Sequence, residues 1–330
     1  EDNGLFPSFV SSPIGDYGLD FVSLQDPEPQ GTVAGYLQHA WDGPVRTRAG
    51  VRSTWVQRDG RFLLSPSLGL AVPLPTATIP KISAGLYQRV VEEPLLIDPV
   101  HGNPGLLPER SAQVVVGVDQ GLPIGEGGLL RIEGYYAKLD QLAVTPDDPG
   151  VRVAGESYLS IGSGHNMGVD LLFALRSERI SGALNASYVD SWRINPLNAT
   201  FPQRVRPKEW QPLTLGLSLE WQAAPAWRLT ARYDYHTGRP MSSVEAGPDD
   251  TLTLTGLNDD RLGDFHQLDL RAEWRKALPR VRWSVYLEVL NVTYARSDFM
   301  PIASVENGEL TMSMFSHLPT RPFLGVRADF

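Results

Sequence analysis

The sequence predicts an all-β fold: an antiparallel transmembrane β-barrel of the outer-membrane type, with about 13–14 strands in this chain. Three observations carry the prediction. Hydrophobic residues alternate with period two along most of the chain, connections alternate between short and long, and aromatics gather at strand ends. The mean hydropathy of −0.18 resembles that of a soluble protein. A lipid-facing strand needs apolar residues only at every second position, so a membrane barrel has a similar value. No apolar run approaches the roughly 18 residues of a transmembrane helix.

Thirteen segments alternate, in chain order 31–42, 45–58, 61–74, 79–90, 111–121, 128–144, 163–177, 180–192, 211–222, 226–237, 264–276, 280–294 and 322–330. The pattern is cleanest in the second half. Leu213, Leu215, Leu217, Leu219 and Trp221 alternate with Thr214, Gly216, Ser218 and Glu220. Trp227, Leu229, Ala231, Tyr233 and Tyr235 alternate with Arg228, Thr230, Arg232 and Asp234. Leu268, Leu270, Ala272 and Trp274 oppose Gln267, Asp269, Arg271 and Glu273; Trp283, Val285, Leu287 and Val289 oppose Ser284, Tyr286 and Glu288. The final segment sets Pro322, Leu324, Val326, Ala328 and Phe330 on one face and Arg327 and Asp329 on the other.

The links between segments sort by parity. Short ones (WDGPV, LPTAT, GLPIGEGG, SERIS, QAAPA, KALPR) take every second place. Long polar ones around 91–110, 145–162, 193–210, 238–263 and 295–320 fill the others, except for the tight RDG turn at 58–60. Outer-membrane barrels place short turns on one rim and long loops on the other, whereas a soluble sandwich has no reason to do so. Trp221, Trp227, Trp274 and Trp283, at segment ends, suit an interfacial aromatic girdle. Arg46, Arg48, Arg52, Arg232, Asp234, Asp269, Arg271 and Glu273 are then expected to face a wet lumen, because a lipid-facing Arg at the midplane costs about 2–4 kcal/mol.

Composition narrows the function. A formal charge of −9 argues against nucleic acid as a partner. The absence of cysteine excludes a disulfide framework and thiolate metal sites. Six scattered histidines show no H-x-H or H-E-x-x-H spacing, so no metal or cofactor is expected. Asp234 and His236 share a face, but no serine in a supporting context accompanies them. They read as a strand end with a rim histidine rather than as a hydrolase, and no enzyme is expected. GEGG (125–128) lacks the strand-to-helix setting of a phosphate loop and reads as a turn. The acidic DDPG (147–150), GPDD (247–250) and NDDRLGD (258–264) have the composition of Ca²⁺ loops but read as solvated outer loops.

The chain resembles the C-terminal barrel portion of TonB-dependent outer-membrane receptors. LLPERSAQVVVGVDQ (106–120), followed by LLRIEGYYAKLDQLAV (129–144), is similar to that family's L-x-P-E strand and its aromatic-rich successor. GHNMGVDLLFAL (164–175), YDYHTGRP (233–240), RLGDFHQLDLRAEW (261–274), VYLEVLNVTY (285–294) and RPFLGVRADF (321–330) resemble later strands in the same order. The resemblance runs from about Gly31 to the end. It implies an outer-membrane location, with lipid around the barrel and the C-terminus periplasmic. It also implies energised import of a scarce ligand: a siderophore, vitamin or glycan. Leu324, Val326, Ala328 and Phe330 would form the strand that closes the barrel and signals to the barrel-assembly machinery.

Two departures shape the expectation. No plug-like sequence is visible, and receptors of this type have about 22 strands. Parity places residues 1–30 outside the cell as a loop or irregular segment, with 31–330 as the barrel portion; GLDFVSL (18–24) is the one candidate for a further strand. An open sheet leaves unpaired edges in lipid. A separate chain is therefore expected to supply the missing strands and the plug, and through the plug the contact with TonB. The alternatives are a complete smaller barrel, and a receptor-derived barrel acting as a structural scaffold in an outer-membrane complex.

Overall fold

The computed structural model describes residues 31–92, 94–98, 101–147, 156–296, 298–316 and 319–329. Thirteen long strands follow one another through a single antiparallel sheet, each pairing with its chain neighbours. They are β1 (Thr32–Asp42), β2 (Arg46–Val56), β3 (Phe62–Ala71), β4 (Thr78–Arg89), β5 (Glu109–Leu122), β6 (Gly127–Val144) and β7 (Leu159–Arg176). The rest are β8 (Ile180–Ile194), β9 (Leu213–Ala224), β10 (Trp227–His236), β11 (Phe265–Ala277), β12 (Arg282–Leu290) and β13 (Arg321–Asp329). Each expected segment is recovered. A two-residue strand, Arg204–Val205, extends the pairing of β8. The segment 1–30, with its candidate strand 18–24, and Phe330 lie outside the described residues.

Register turns local alternation into two continuous surfaces. Side chains directly opposite in an antiparallel pair share a face. One rung runs Trp221–Leu229–Ala272–Leu287–Leu324 across β9 to β13. Another runs Leu70–Ile82–Val116–Gly134–Val169–Tyr188–Leu213 across β3 to β9. Leu70 continues through Thr47 of β2 to Trp41 of β1, so the apolar faces of all thirteen strands merge into one. Leu324 is 76% exposed and Val326 62%. A chain folding in water would bury such a surface; a strand in lipid leaves it bare.

Among the described residues, no interior core holds the sheet together. The largest buried apolar cluster, Val91, Ile97 and Leu106, lies in the β4–β5 connection around a one-turn helix, α1 (Pro94–Ile97). Cohesion comes from the hydrogen-bonded ladder, which satisfies the backbone where water is absent. Among the described residues β1 and β13 each pair on one side only, so the sheet is an open barrel wall. Tyr286 lies flat over Gly325, its cross-strand partner, where a Cβ would collide with the ring.

The turns between β1 and β2, β3 and β4, β5 and β6, β7 and β8, β9 and β10, and β11 and β12 are short; those at the opposite rim are long except between β2 and β3. Two long connections hold strands the sequence does not announce: within 238–263, Pro240–Met241 pairs with Asp260–Arg261 and Val244–Ala246 with Leu252–Leu254. Residues 295–320, expected as a long polar connection, contain a hairpin of Asp298–Glu306 with Glu309–Ser316. Asn307 (φ 53°) and Gly308 (φ 75°) form its turn, the left-handed pair that suits a two-residue hairpin.

Candidate functional site

The polar face opposite the apolar rungs carries the charged residues. Arg46, Arg48 and Arg52 follow one another along it on β2, all exposed, and none has an ion-pair partner among the described residues. On β10 the Arg232 guanidinium meets the Asp234 carboxylate at 2.7 Å, and Arg232 stands directly opposite Asp269. Asp269 accepts from Gln267 Nε2 and from the Asn291 backbone N–H, each at 2.8 Å. Glu273 is buried between Arg275, which donates to both carboxylate oxygens at 3.0 Å, and Arg271 at 3.6 Å. Arg271 also lies 3.8 Å above the Tyr286 ring. Arg327 and Asp329 pair at 2.8 Å on the same face.

A second network was missed in the sequence. Lys81 Nζ reaches Asp119 at 2.8 Å and Glu133 at 2.7 Å, while Arg131 donates to both Asp119 oxygens. All four lie on the polar faces of β4, β5 and β6. Strict alternation identifies them, but Ile79, Val115 and Leu172 interrupt that face and weaken the signal. A cavity of about 440 Å³ connects the two networks, lined by Arg131, Glu133, Asp170, Ser187, Thr214 and Asp234. Paired charges, hydroxyls and amides suit this surface to hold water or a polar protein surface against the wall. His236 is engaged by Gln211 at 2.7 Å and stacks on Phe265 at 4.6 Å.

On the apolar face, Trp227 stands opposite Trp274, Trp274 opposite Val285, and Trp283 opposite Lys276. These three and Trp221 sit at the short-turn rim, and Trp221, Trp227 and Trp283 are exposed. In β13, Leu324, Val326 and Ala328 pair with Leu287, Val285 and Trp283.

At the long-loop rim, carboxylates that composition marks as acidic loops act as clamps. Asp147 accepts the backbone N–H groups of Ala199, Thr200 and Phe201 at 2.7–3.0 Å. Asp250, in the turn between Val244–Ala246 and Leu252–Leu254, accepts from Gly308 N–H at 2.6 Å and so joins that hairpin to the 298–316 one, and Asp259 accepts from Ser243. Asp264 accepts the Tyr235 hydroxyl at 2.7 Å and the Gly238 N–H at 3.0 Å. The Tyr235 bond, then the Gly238 bond, hold the Asp264 carboxyl below the usual carboxylate range despite its desolvation. Residues 148–150 of the DDPG stretch lie outside the described residues.

Comparison with known proteins places this geometry. The family model for the TonB-dependent receptor-like β-barrel matches residues 3–292. No curated protein sequence matches. Among solved structures, the FrpB iron transporter from Neisseria meningitidis superposes with a TM-score of 0.62 at 16% identity, over 90% of this chain and 45% of that one. A mutant of the ferric enterobactin receptor PfeA from Pseudomonas aeruginosa, in complex with enterobactin, gives 0.66 at 13% identity, over 91% and 45%. The ferric-catecholate import receptor Fiu from E. coli K12 gives 0.67 at 12%, over 91% and 44%. The chain thus spans a little under half the length of the structures it resembles.

Proposed function

The chain belongs to the TonB-dependent receptor β-barrel family, and from that premise we propose that it forms part of the wall of an outer-membrane importer for a scarce ligand. The continuous pairing of an apolar face with a polar face through thirteen strands carries the proposal, because it is the form a lipid-embedded wall around a wet lumen requires. In this proposal the short-turn rim and the C-terminus are periplasmic, and the long loops are extracellular. Arg46, Arg48, Arg52 and the two ion-pair networks line the lumen, and the four tryptophans form the periplasmic girdle. The plug, the contact with TonB and the remaining strands come from sequence outside residues 31–330, and the barrel-assembly machinery reads β13.

The named neighbours carry iron or ferric enterobactin, which favours an iron chelate among the ligands the resemblance implies. Deleting the gene should impair growth on one iron chelate under iron limitation, and the full-length gene should restore it only in a strain with intact TonB. Equal growth with and without TonB would defeat the import function. Protease access to the long loops on intact cells tests their orientation independently.

A further inference from the structure

We propose that the acidic segment of this chain ahead of β1, residues 16–30, docks on the row of arginines along the polar face of β2. The chain divides unevenly in charge. Residues 1–30 hold Glu1, Asp2, Asp16, Asp20, Asp26 and Glu28 and no Lys, Arg or His, so six of the nine net negative charges fall there. The row is open to receive them. Arg46, Arg48 and Arg52 are exposed and have no ion-pair partner among the described residues. Asp42 stands opposite Arg46 without an ion pair, and the other neighbours are small: Ala40 and Gly69 flank Arg48, and Ser65 lies beside Arg52. Arg46 and Arg48, about 7 Å apart along one strand, lie within a Debye length and repel each other. Lys81 and Arg131, by contrast, share the Asp119 carboxylate.

Spacing matches the two partners. The Gln57 N–H donates to the Gly31 carbonyl at 2.9 Å, which fixes the chain at the long-loop end of β1 and β2. A cavity of about 490 Å³ opens there on the polar face, lined by Thr32, Ala34, Arg52, Thr54, Leu63 and Gln88. Counted from that bond, Arg52 lies five residues down β2 and Arg46 eleven; Asp26 lies five and Asp20 eleven residues before Gly31. An extended segment turned back from Gly31 therefore brings Asp26 about level with Arg52 and Asp20 about level with Arg46, at depths of about 17 and 36 Å. Asp16, Asp20, Asp26 and Glu28 are separated by even numbers of residues, so in an extended chain they share one face. Carboxylates so placed form charge-assisted hydrogen bonds with the guanidiniums and relieve their mutual repulsion.

The inference rests on the lumen-facing orientation of the polar face proposed above. Full-length protein in nonionic detergent is labelled with phenylglyoxal, and modification of Arg46, Arg48 and Arg52 is followed by mass spectrometry. Asp20→Asn with Asp26→Asn and Glu28→Gln should speed it about tenfold and leave the exposed Arg176 unchanged. In the parent, molar NaCl should also speed it, a test that needs no substitution. Arg52→Glu should raise hydrogen exchange in residues 18–26 about tenfold, and adding Asp26→Arg with Glu28→Arg should restore protection. Fast labelling of the parent overturns the docking and leaves the row solvated. Slow labelling in parent and triple variant alike assigns the row to another part of the protein, and protection that requires added citrate assigns it to a soluble anion; each overturns the segment. Exchange that ignores Arg52→Glu, or fails to recover on charge reversal, overturns it as well. Heat-modifiable gel mobility separates the two levels: a parent that keeps it while its arginines label freely loses only the docking, whereas its absence in the parent removes the barrel itself.

Discussion

Arg131 and Asp119 stand directly opposite each other on β6 and β5, and the guanidinium closes on both carboxylate oxygens at 2.7 and 2.8 Å. Lys81 approaches the same carboxylate from β4, so three strands converge on one anion. Asp119→Asn keeps the shape and removes the charge that two cations share. It should destabilise the full-length protein by roughly 1–3 kcal/mol, read as a lower urea midpoint in lipid vesicles. An unchanged midpoint would show that solvent replaces the network at no cost.

The two faces should differ sharply in their tolerance of charge. Leu287→Arg sits on the apolar rung between Ala272 and Leu324 and should cost about 2–4 kcal/mol. Gln113→Arg, on the polar face of β5 between Gly85 and Ala137, should change stability by about 0.5 kcal/mol or less. Equal costs in a folding assay with vesicles would mean that lipid does not cover the Leu287 face.

Asp147 ties the β6–β7 connection to the one after β8 through the N–H groups of residues 199–201. Asp147→Ala leaves those donors without this acceptor and should loosen the clamp by roughly 1–3 kcal/mol. Protease cleavage within 195–203 should accelerate while heat-modifiable mobility persists, because the ladder below is untouched. Cleavage at the parental rate would assign the ordering of that loop to other contacts.

Asp264 links the loop to acidity. Its carboxyl is held below the ordinary range, chiefly by the Tyr235 hydroxyl and then by the Gly238 N–H. A depressed carboxylate contributes stability that is fully present above its unfolded value and is lost as pH falls through its folded one. Hydrogen exchange in residues 237–264 should therefore rise on acidification to below the carboxylate range and stay low near neutrality. Asp264→Asn should raise the neutral exchange and flatten the pH dependence. The same acid response in parent and variant would assign the opening to another group.

Much of the wall was legible in the sequence because its signal is local. In β9 to β13, apolar side chains fall at alternate positions from Leu213 through Ala328, and the polar set between them includes Arg232, Asp234, Asp269, Arg271 and Glu273. The network of Lys81, Asp119, Arg131 and Glu133 was harder to see, since Ile79 and Val115 sit on the same face. The hairpin at 298–316 was overlooked although Asn307-Gly308 marks its turn and Leu310, Met312 and Met314 alternate with Thr311 and Ser313; its strands are short and lie within a segment read as one long connection.

Alternation by itself marked the thirteen wall strands and which residues of each share a face, because a strand's side chains change sides at every residue. Only the tertiary structure decided the partners. That Lys81 and Arg131 meet on Asp119, that Asp147 grips residues 199–201, and that Arg206 lies over Trp192 depend on contacts across strands and between loops. Such pairings are chosen by register and loop packing, where residues far apart in sequence meet at hydrogen-bond distance, and no local period encodes them.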